Sequence, residues 1–315
     1  MLKIYRSNCT HLYELTFEKI EKGAWFNLIN PDQVELEMVA AKTGAPLDFL
    51  KAALDEEERS RTELEDNYML VITNIPIMRG KDSYDALPLG IIISPDYIIT
   101  VCLEANEVLA NFSPENARNF STCKKTRFLF QILHKSALLY LRYLKQINRR
   151  TDDLEHHLRA SMKNQEIFQL LDLQKGLTYF TASLRSNGIV LEKLLRLRTL
   201  TNLQHLITMY EEDEDLLEDV IIENKQAIEM VEMYSKVLSG LMDCFTSIIS
   251  NNLNMVMKFL ASMTILLAIP TMISSFMGMN VDVPFGANNG FLYTMSFAFF
   301  TTVLTAFGLW KKGMF

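Results

Sequence analysis

Several things are scarce in this 315-residue chain. It has four cysteines, Cys9, Cys102, Cys123 and Cys244, widely scattered and with no Cys-x-x-Cys spacing. That excludes a zinc knuckle and a disulfide scaffold and fits a reducing compartment. No Gly-x-x-x-x-Gly-Lys-Ser/Thr stretch occurs, so no nucleotide is indicated. Basic residues are outnumbered, 31 against 38 acidic, for a net charge of −7. This argues against a nucleic-acid binder. The short clusters Lys124-Lys125-Thr126-Arg127 and Arg149-Arg150 are interleaved with apolar residues and read as solvated helix faces. No nucleophile–histidine–acid arrangement is legible, so the chain does not read as an enzyme. The first residues lack the apolar core of a signal peptide, which places the N-terminal bulk in the cytosol.

Two absences are regional. None of the eight prolines falls between positions 115 and 269, and from Phe259 to Trp310 the only charged residue is Asp282. The overall 22% charged and 49% hydrophobic composition looks like that of a soluble acidic protein, but it averages two different materials.

Before Pro114, short β-branched runs bounded by Pro, Gly, Asn and Asp read as strands: residues 2–5, 68–72, 90–93 and 97–101. Residues 31–60 read as helical, with one helix opened by Pro31-Asp32 and two more over 45–53 and around Asp55–Glu58. An α/β layer is expected for residues 1–112. Ser113-Pro114-Glu115 has the form of a helix start. Long helices follow, with apolar residues three and four apart (Leu133, Leu138, Leu141, Leu144, Ile147). Breaks are expected near Asn187-Gly188 and near residues 200–202.

Alternating steps of four and three from Leu217 reach Ile221, Asn224, Ile228, Val231, Ser235, Leu238, Met242, Phe245, Ile249, Asn252 and Val256. Most are apolar, giving a 3.5-residue period and a helix roughly 60 Å long packed lengthwise against others. This helix leads directly into the uncharged segment. Residues 259–279 and 291–310 are each long enough to cross a bilayer and are joined by a polar turn, 280–290. Lys258 precedes the first span, Lys311-Lys312 follow the second, and the turn has no Lys or Arg. Both termini are therefore expected on the cytoplasmic side, with Trp310 as an interfacial aromatic. The expected organisation is a cytosolic α/β and helical domain over 1–202, a stalk over 203–258, the two spans, and a basic tail over 311–315.

One face of the first span is small or polar. Steps of three and four from Asn254 give Met257, Ala261, Thr264, Ala268, Thr271, Ser275 and Gly278. Such a stripe suits either close helix packing or a pore lining of hydroxyl and amide oxygens. A single hairpin cannot enclose a pore, so a conduit requires several subunits around an axis.

Gly278-Met279-Asn280 closes the first span, and a Gly-Met-Asn tripeptide in that place resembles the CorA-type magnesium channel family. The resemblance extends to residues 254–258, Pro270-Thr271, Ile273-Ser274-Ser275-Phe276, Trp25-Phe26-Asn27-Leu28, residues 55–68 and Ile98-Ile99-Thr100-Val101. It implies an α+β membrane protein, a funnel-shaped homopentamer in which the stalk and first span line a pore. It also implies passive Mg2+ influx gated by intracellular Mg2+ at the cell membrane. By position, Asn280 is the amide ring at the outer mouth, turned by Gly278 and supported by Met279. Thr271 and Asn254 are polar rings and Met257 is a hydrophobic constriction. Two departures stand out. Met277 replaces the usual aromatic before the tripeptide, and the loop reads Val281-Asp282-Val283-Pro284-Phe285 instead of a Met-Pro-Glu-Leu loop. They leave zinc, cobalt or nickel transport as an alternative within the family. A membrane-anchored coiled-coil scaffold or sensor without flux is the alternative outside it.

The acids Glu211-Glu212-Asp213-Glu214-Asp215, Glu218 and Asp219 crowd the start of the stalk, where a helix dipole favours them. The resemblance implies that Asp219 shares an intersubunit regulatory Mg2+ site, with Asp82 or Asp85 as partner. Adjacent His156 and His157 point to different helix faces and make a poor metal pair. The seven methionines between Met255 and Met295 read as membrane packing.

Overall fold

The computed structural model describes residues 1–8, 11–65, 67–161, 164–197, 206–279 and 286–314. The chain divides into two compact units, Met1–Gly240 and Leu241–Phe315. The division falls inside one continuous helix.

The first unit is built on a seven-stranded sheet. In chain order the strands are β1 (Leu2–Asn8), β2 (His11–Glu14), β3 (Trp25–Ile29), β4 (Arg61–Glu65), β5 (Tyr68–Met78), β6 (Tyr84–Ile93) and β7 (Ile98–Cys102). Their spatial order is β2-β1-β3-β7-β6-β5-β4. All neighbours are antiparallel except β3 and β7, which run parallel with Trp25 opposite Ile98. β2 and β4, the edge strands, are short and largely polar, which discourages edge-to-edge association.

The four expected strands are present, but three more, β2, β3 and β4, lie outside the sequence reading. β5 and β6 also run well past the expected ends, through Pro76 and Pro88. Register explains this. β4 pairs with β5 only as far as Ile72, and β7 pairs with β6 only from Leu89. Each proline therefore sits where one strand edge is open and needs no donor.

Helices cover both faces of the sheet. On one side lie α1 (Gln33–Thr43) and α2 (Leu47–Ala52). Asp32 and Glu35 form a reciprocal capping box at the start of α1, and Gly44, at φ 75°, closes it in the left-handed region. Leu36, Val39, Phe49 and Leu50 pack there with Phe26, Leu28, Leu70, Ile72, Ile92, Ile99 and Val101. The expected third helix around residues 55–58 is a turn, in which the Asp55 side chain accepts from the Glu57 N–H.

On the other side lie α4 (Lys125–Ser161) and α5 (Asn164–Leu197), after the short α3 (Glu107–Ala110). Ser113-Pro114-Glu115 starts no long helix. Pro114–Asn116 is one 3-10 turn without a side-chain cap, and α4 begins at Lys125. The intervening loop instead docks on the sheet: Thr122 Oγ1 accepts from Ser7 N–H, and Phe120 meets Phe112 edge-on and stacks on Phe128, both of which contact Trp25. No break occurs at Asn187-Gly188. Asn187 turns its amide onto the sheet, accepting from Ser60 Oγ, Thr73 Oγ1 and Asn74 N–H and donating to the Asn74 carbonyl. The break expected near 200–202 lies outside the described residues.

The longest element, α6, runs from Glu211 to Met277, about 100 Å of helix. It starts eight residues later than the expected stalk. The Tyr210 carbonyl accepts from Asp213 N–H while Asp213 Oδ2 accepts from Tyr210 N–H, which sets the first turn. Within the first unit, Leu217, Asn224, Val231 and Leu238 are buried at intervals of seven, as the 3.5-residue seam requires. Asn224 donates to the Leu184 carbonyl of α5, and Arg185 pairs with Glu232. The last helix, α7 (Gly286–Lys311), begins earlier than the expected 291.

Candidate functional site

The second unit consists of the end of α6 and all of α7. Both helices are long and apolar enough to cross a membrane. In α6, Ser262 is fully buried, and Leu266, Ile269, Ile273 and Met277 are partly covered. These positions follow one another by four and three residues and so share one side. Ser262 Oγ lies 2.8 Å from the Lys258 carbonyl and 3.1 Å from that of Met314, just beyond α7. This side therefore faces the hairpin partner.

At 100° per residue, Ala261, Thr264, Ala268, Thr271, Ser275 and Gly278 fall roughly opposite that seam. All six are exposed, and Thr264, Ala268, Thr271 and Ser275 line an open groove with Leu267, Met272 and Phe276. Thr264 Oγ1 donates to the Leu260 carbonyl at 2.8 Å and Thr271 Oγ1 to the Leu267 carbonyl at 2.9 Å. With their protons committed to the backbone, these hydroxyls present lone pairs to the groove. Met257 and Asn254 are exposed about one and two turns before Ala261. The helix ends at Met277, and Gly278 N–H still donates to the Ser274 carbonyl. Met279 is exposed; Asn280 lies outside the described residues.

α7 shows the converse division. Thr294, Ala298, Thr301, Thr302, Thr305 and Leu309 are its covered side, whereas Phe291, Leu292, Phe297, Phe299, Phe300, Leu304, Phe307 and Trp310 are exposed. A bulky apolar surface suits lipid, and the small hydroxyl-bearing side allows close helix approach.

The acids at the start of α6 are largely accounted for locally. Asp213 is only 3% exposed and caps the helix, and Glu212 pairs with Arg127 at 2.5 Å. Asp219 is exposed, without an ion pair among the described residues, in a cleft it shares with Glu212, Asp215, Arg127, His134 and Lys135. Asp82, in the β5–β6 turn, is gripped by Arg150, with Nε 2.6 Å from Oδ1 and Nη2 3.0 Å from Oδ2. That hydrogen bond to Asp82 raises the Arg150 pKa further above its ordinary value. Asp85 accepts from Arg79, which also pairs with Glu104. Burial alone would lower the Arg79 pKa, but the bonds to Glu104 and Asp85 outweigh it and the net shift is upward. Among the described residues no three His, Cys, Asp or Glu side chains converge on a metal position. Within one chain, Asp82 and Asp85 are thus each engaged by an arginine, Arg79 being shared between Asp85 and Glu104.

A family model described as CorA-like Mg2+ transporter protein matches residues 21–311. The chain belongs to this CorA family. The family is one of ion transporters, not enzymes. The chain is 28% identical over 296 residues to the cobalt/magnesium transport protein CorA of Methanocaldococcus jannaschii, covering 90% of this chain and 89% of that one. The complete structure of the CorA magnesium transporter from the same organism superposes with a TM-score of 0.81 at 25% identity, covering 98% and 96% of the two chains. The ZntB cytoplasmic domain from Vibrio parahaemolyticus matches with a TM-score of 0.60 at 13% identity, covering 80% and 97%, which is a likeness of fold.

Within this CorA-family chain, the structure brings Thr271, Gly278 and the polar groove to one side of the first span. It does not bring Asp219 together with Asp82 or Asp85 in one chain. The hydroxyl stripe of α7 and the Ser262–Met314 contact were missed in the sequence. The stripe had a signal, since Thr294, Ala298, Thr301 and Thr305 recur by four and three, but the contact had none. His156 and His157 are exposed neighbours with rings at 83°, not a metal pair.

Proposed function

We propose that this CorA-family protein is a passive channel for divalent cations, carrying Mg2+ inward through a homopentamer with a funnel-shaped cytosolic part. One observation carries the reading: the polar side of the first span is the side left free by the hairpin partner. Each subunit keeps a seam for its own second span and turns acceptor oxygens the other way. Copies around an axis then line a path with those oxygens.

Mg2+ requires octahedral oxygen coordination and dehydrates reluctantly. The hydroxyls of Thr264 and Thr271 and the amides of Asn254 and Asn280 accept hydrogen bonds from its water shell without stripping it. Asn280 forms the outer ring, Gly278 and Met279 shape the turn that presents it, and Met257 narrows the path. The termini face the cytoplasm, because Lys258, Lys311 and Lys312 mark that side. The membrane potential drives entry, with about 4.6 kcal/mol per divalent ion at 100 mV. Intracellular Mg2+ restrains the channel through Asp219, which is exposed and, among the described residues, without an ion pair, and so open to a ligand from a neighbouring subunit.

The test is uptake into liposomes containing the full-length protein. Wild type should admit Mg2+ with magnesium outcompeting zinc, and Asn280→Ala should abolish most of the flux. Preferential zinc, cobalt or nickel uptake would reassign the cargo. A wild-type protein that passes no cation would be a membrane-anchored scaffold or sensor.

A further inference from the structure

The Ser262–Met314 contact does more than join two helices. Gly313, at φ 65°, closes α7, with its N–H donating to the Trp310 carbonyl and the Met314 N–H to that of Leu309. This left-handed cap turns the chain back, so that the Met314 carbonyl reaches Ser262 Oγ at 3.1 Å. Lys258 stands one helical turn before Ser262, and Lys311 and Lys312 come just before the cap. Lys258, Lys311 and Lys312 therefore all belong to the same end of the hairpin.

These are the only basic residues between Leu241 and Phe315, and among the described residues none forms an ion pair. Lys258 falls on the hairpin side of α6, continuing the line of Ser262, Leu266 and Ile269, and so lies away from the polar groove. Lys311 adjoins the aromatic side of α7, where the Phe307 and Trp310 rings lie 6.1 Å apart. Uncompensated positive charge next to an exposed aromatic surface matches the boundary between lipid phosphates and acyl chains.

We propose that Lys258, Lys311 and Lys312, assembled by the Ser262–Met314 contact, bind the head group of an anionic phospholipid at this end of the hairpin. The phosphodiester accepts from the ammonium groups while its acyl chains lie along Phe307 and Trp310. The inference rests on the membrane-spanning reading and not on conduction.

The protein carries its own reporter. Of its two tryptophans, Trp25 is 1% exposed in the first unit, whereas Trp310 is 67% exposed beside the lysines. The full-length protein is reconstituted in phosphatidylcholine vesicles with a minor fraction of phosphatidylglycerol, one or the other lipid being brominated. At the same mole fraction of brominated lipid, quenching of Trp310 should report phosphatidylglycerol enriched about fivefold, the effect of one lysine near an anionic surface. The Lys258→Gln, Lys311→Gln, Lys312→Gln triple variant should show no enrichment, and the corresponding arginine variant should retain it. Equal quenching by the two lipids in wild type, or undiminished enrichment in the glutamine variant, overturns the proposal. Loss of enrichment on adding millimolar inorganic phosphate also overturns it, since the ligand would then be a free anion. Quenching by neither lipid removes the membrane placement as well. Loss of ion uptake with enrichment intact removes conduction alone.

Discussion

Asn187 illustrates how a single residue decides a helix's position. The residue is 6% exposed, and its carboxamide serves three donors and one acceptor from β5 and from the segment before β4. By local propensity an Asn-Gly pair is a helix breaker, and that is how Asn187-Gly188 reads in isolation. The sheet supplies the partners that a turn would otherwise provide, and the helix continues. Asn187→Ala strands buried donors at Ser60, Thr73 and Asn74, each worth about 1–3 kcal/mol when unsatisfied. Thermal unfolding in detergent should show a clear fall in melting temperature; Ser186→Ala, which removes one weaker contact at 3.4 Å, should change it little. Asp82 and Asp85 teach a related lesson. Both are visible as acids in the sequence, but their pairing with the arginines at positions 150 and 79 is not. Arg150 is 68 residues away in sequence, and nothing in the local pattern announces it.

At the scale of elements, the first span has two working sides, and their opposition is the central geometric fact. Gly176 shows the same tightness in the first unit. A Cβ there would lie 2.9 Å from Tyr84 Cβ, so α5 approaches β6 as closely as glycine allows. In the span, small residues serve a different purpose, since Ala268, Thr271 and Ser275 remain uncovered. Thr271→Val keeps the shape and the helix but removes the outward lone pairs. Uptake of Mg2+ should fall about fivefold, the equivalent of one hydrogen bond of about 1 kcal/mol. Ser274→Ala, one residue off the stripe, should leave uptake near wild type. Equal losses at both positions would mean that the span as a whole, and not its polar side, is sensitive.

For the whole molecule, net charge acquires a different meaning once several copies assemble. Each chain carries −7, so in the proposed homopentamer the subunits repel unless cations intervene. Asp219 is the acid of the α6 cluster proposed for that exchange, while Asp213 and Glu212 are engaged within their own chain. Magnesium should therefore raise the melting temperature of the full-length protein and slow proteolysis of its first unit. Both effects should shrink in Asp219→Ala. Equal protection of the two proteins would reduce Asp219 to a surface acid.

The sequence by itself determined two helices long and apolar enough to cross a membrane, the 3.5-residue seam and the polar stripe with its terminal Gly278-Met279. These depend only on residue type and spacing along one helix, where neighbours are set by covalent geometry. It also determined the strand identity of residues 68–72, 90–93 and 97–101, because β-branched runs are local. Only the tertiary structure decided that β5 and β6 pass through their prolines, since that depends on where β4 and β7 stop pairing. It likewise decided which side of the first span is left open, that Asn187 anchors a helix, and that Ser262 meets Met314. Such choices are made by groups distant in sequence, selected by proximity and by the need of each buried polar atom for a partner.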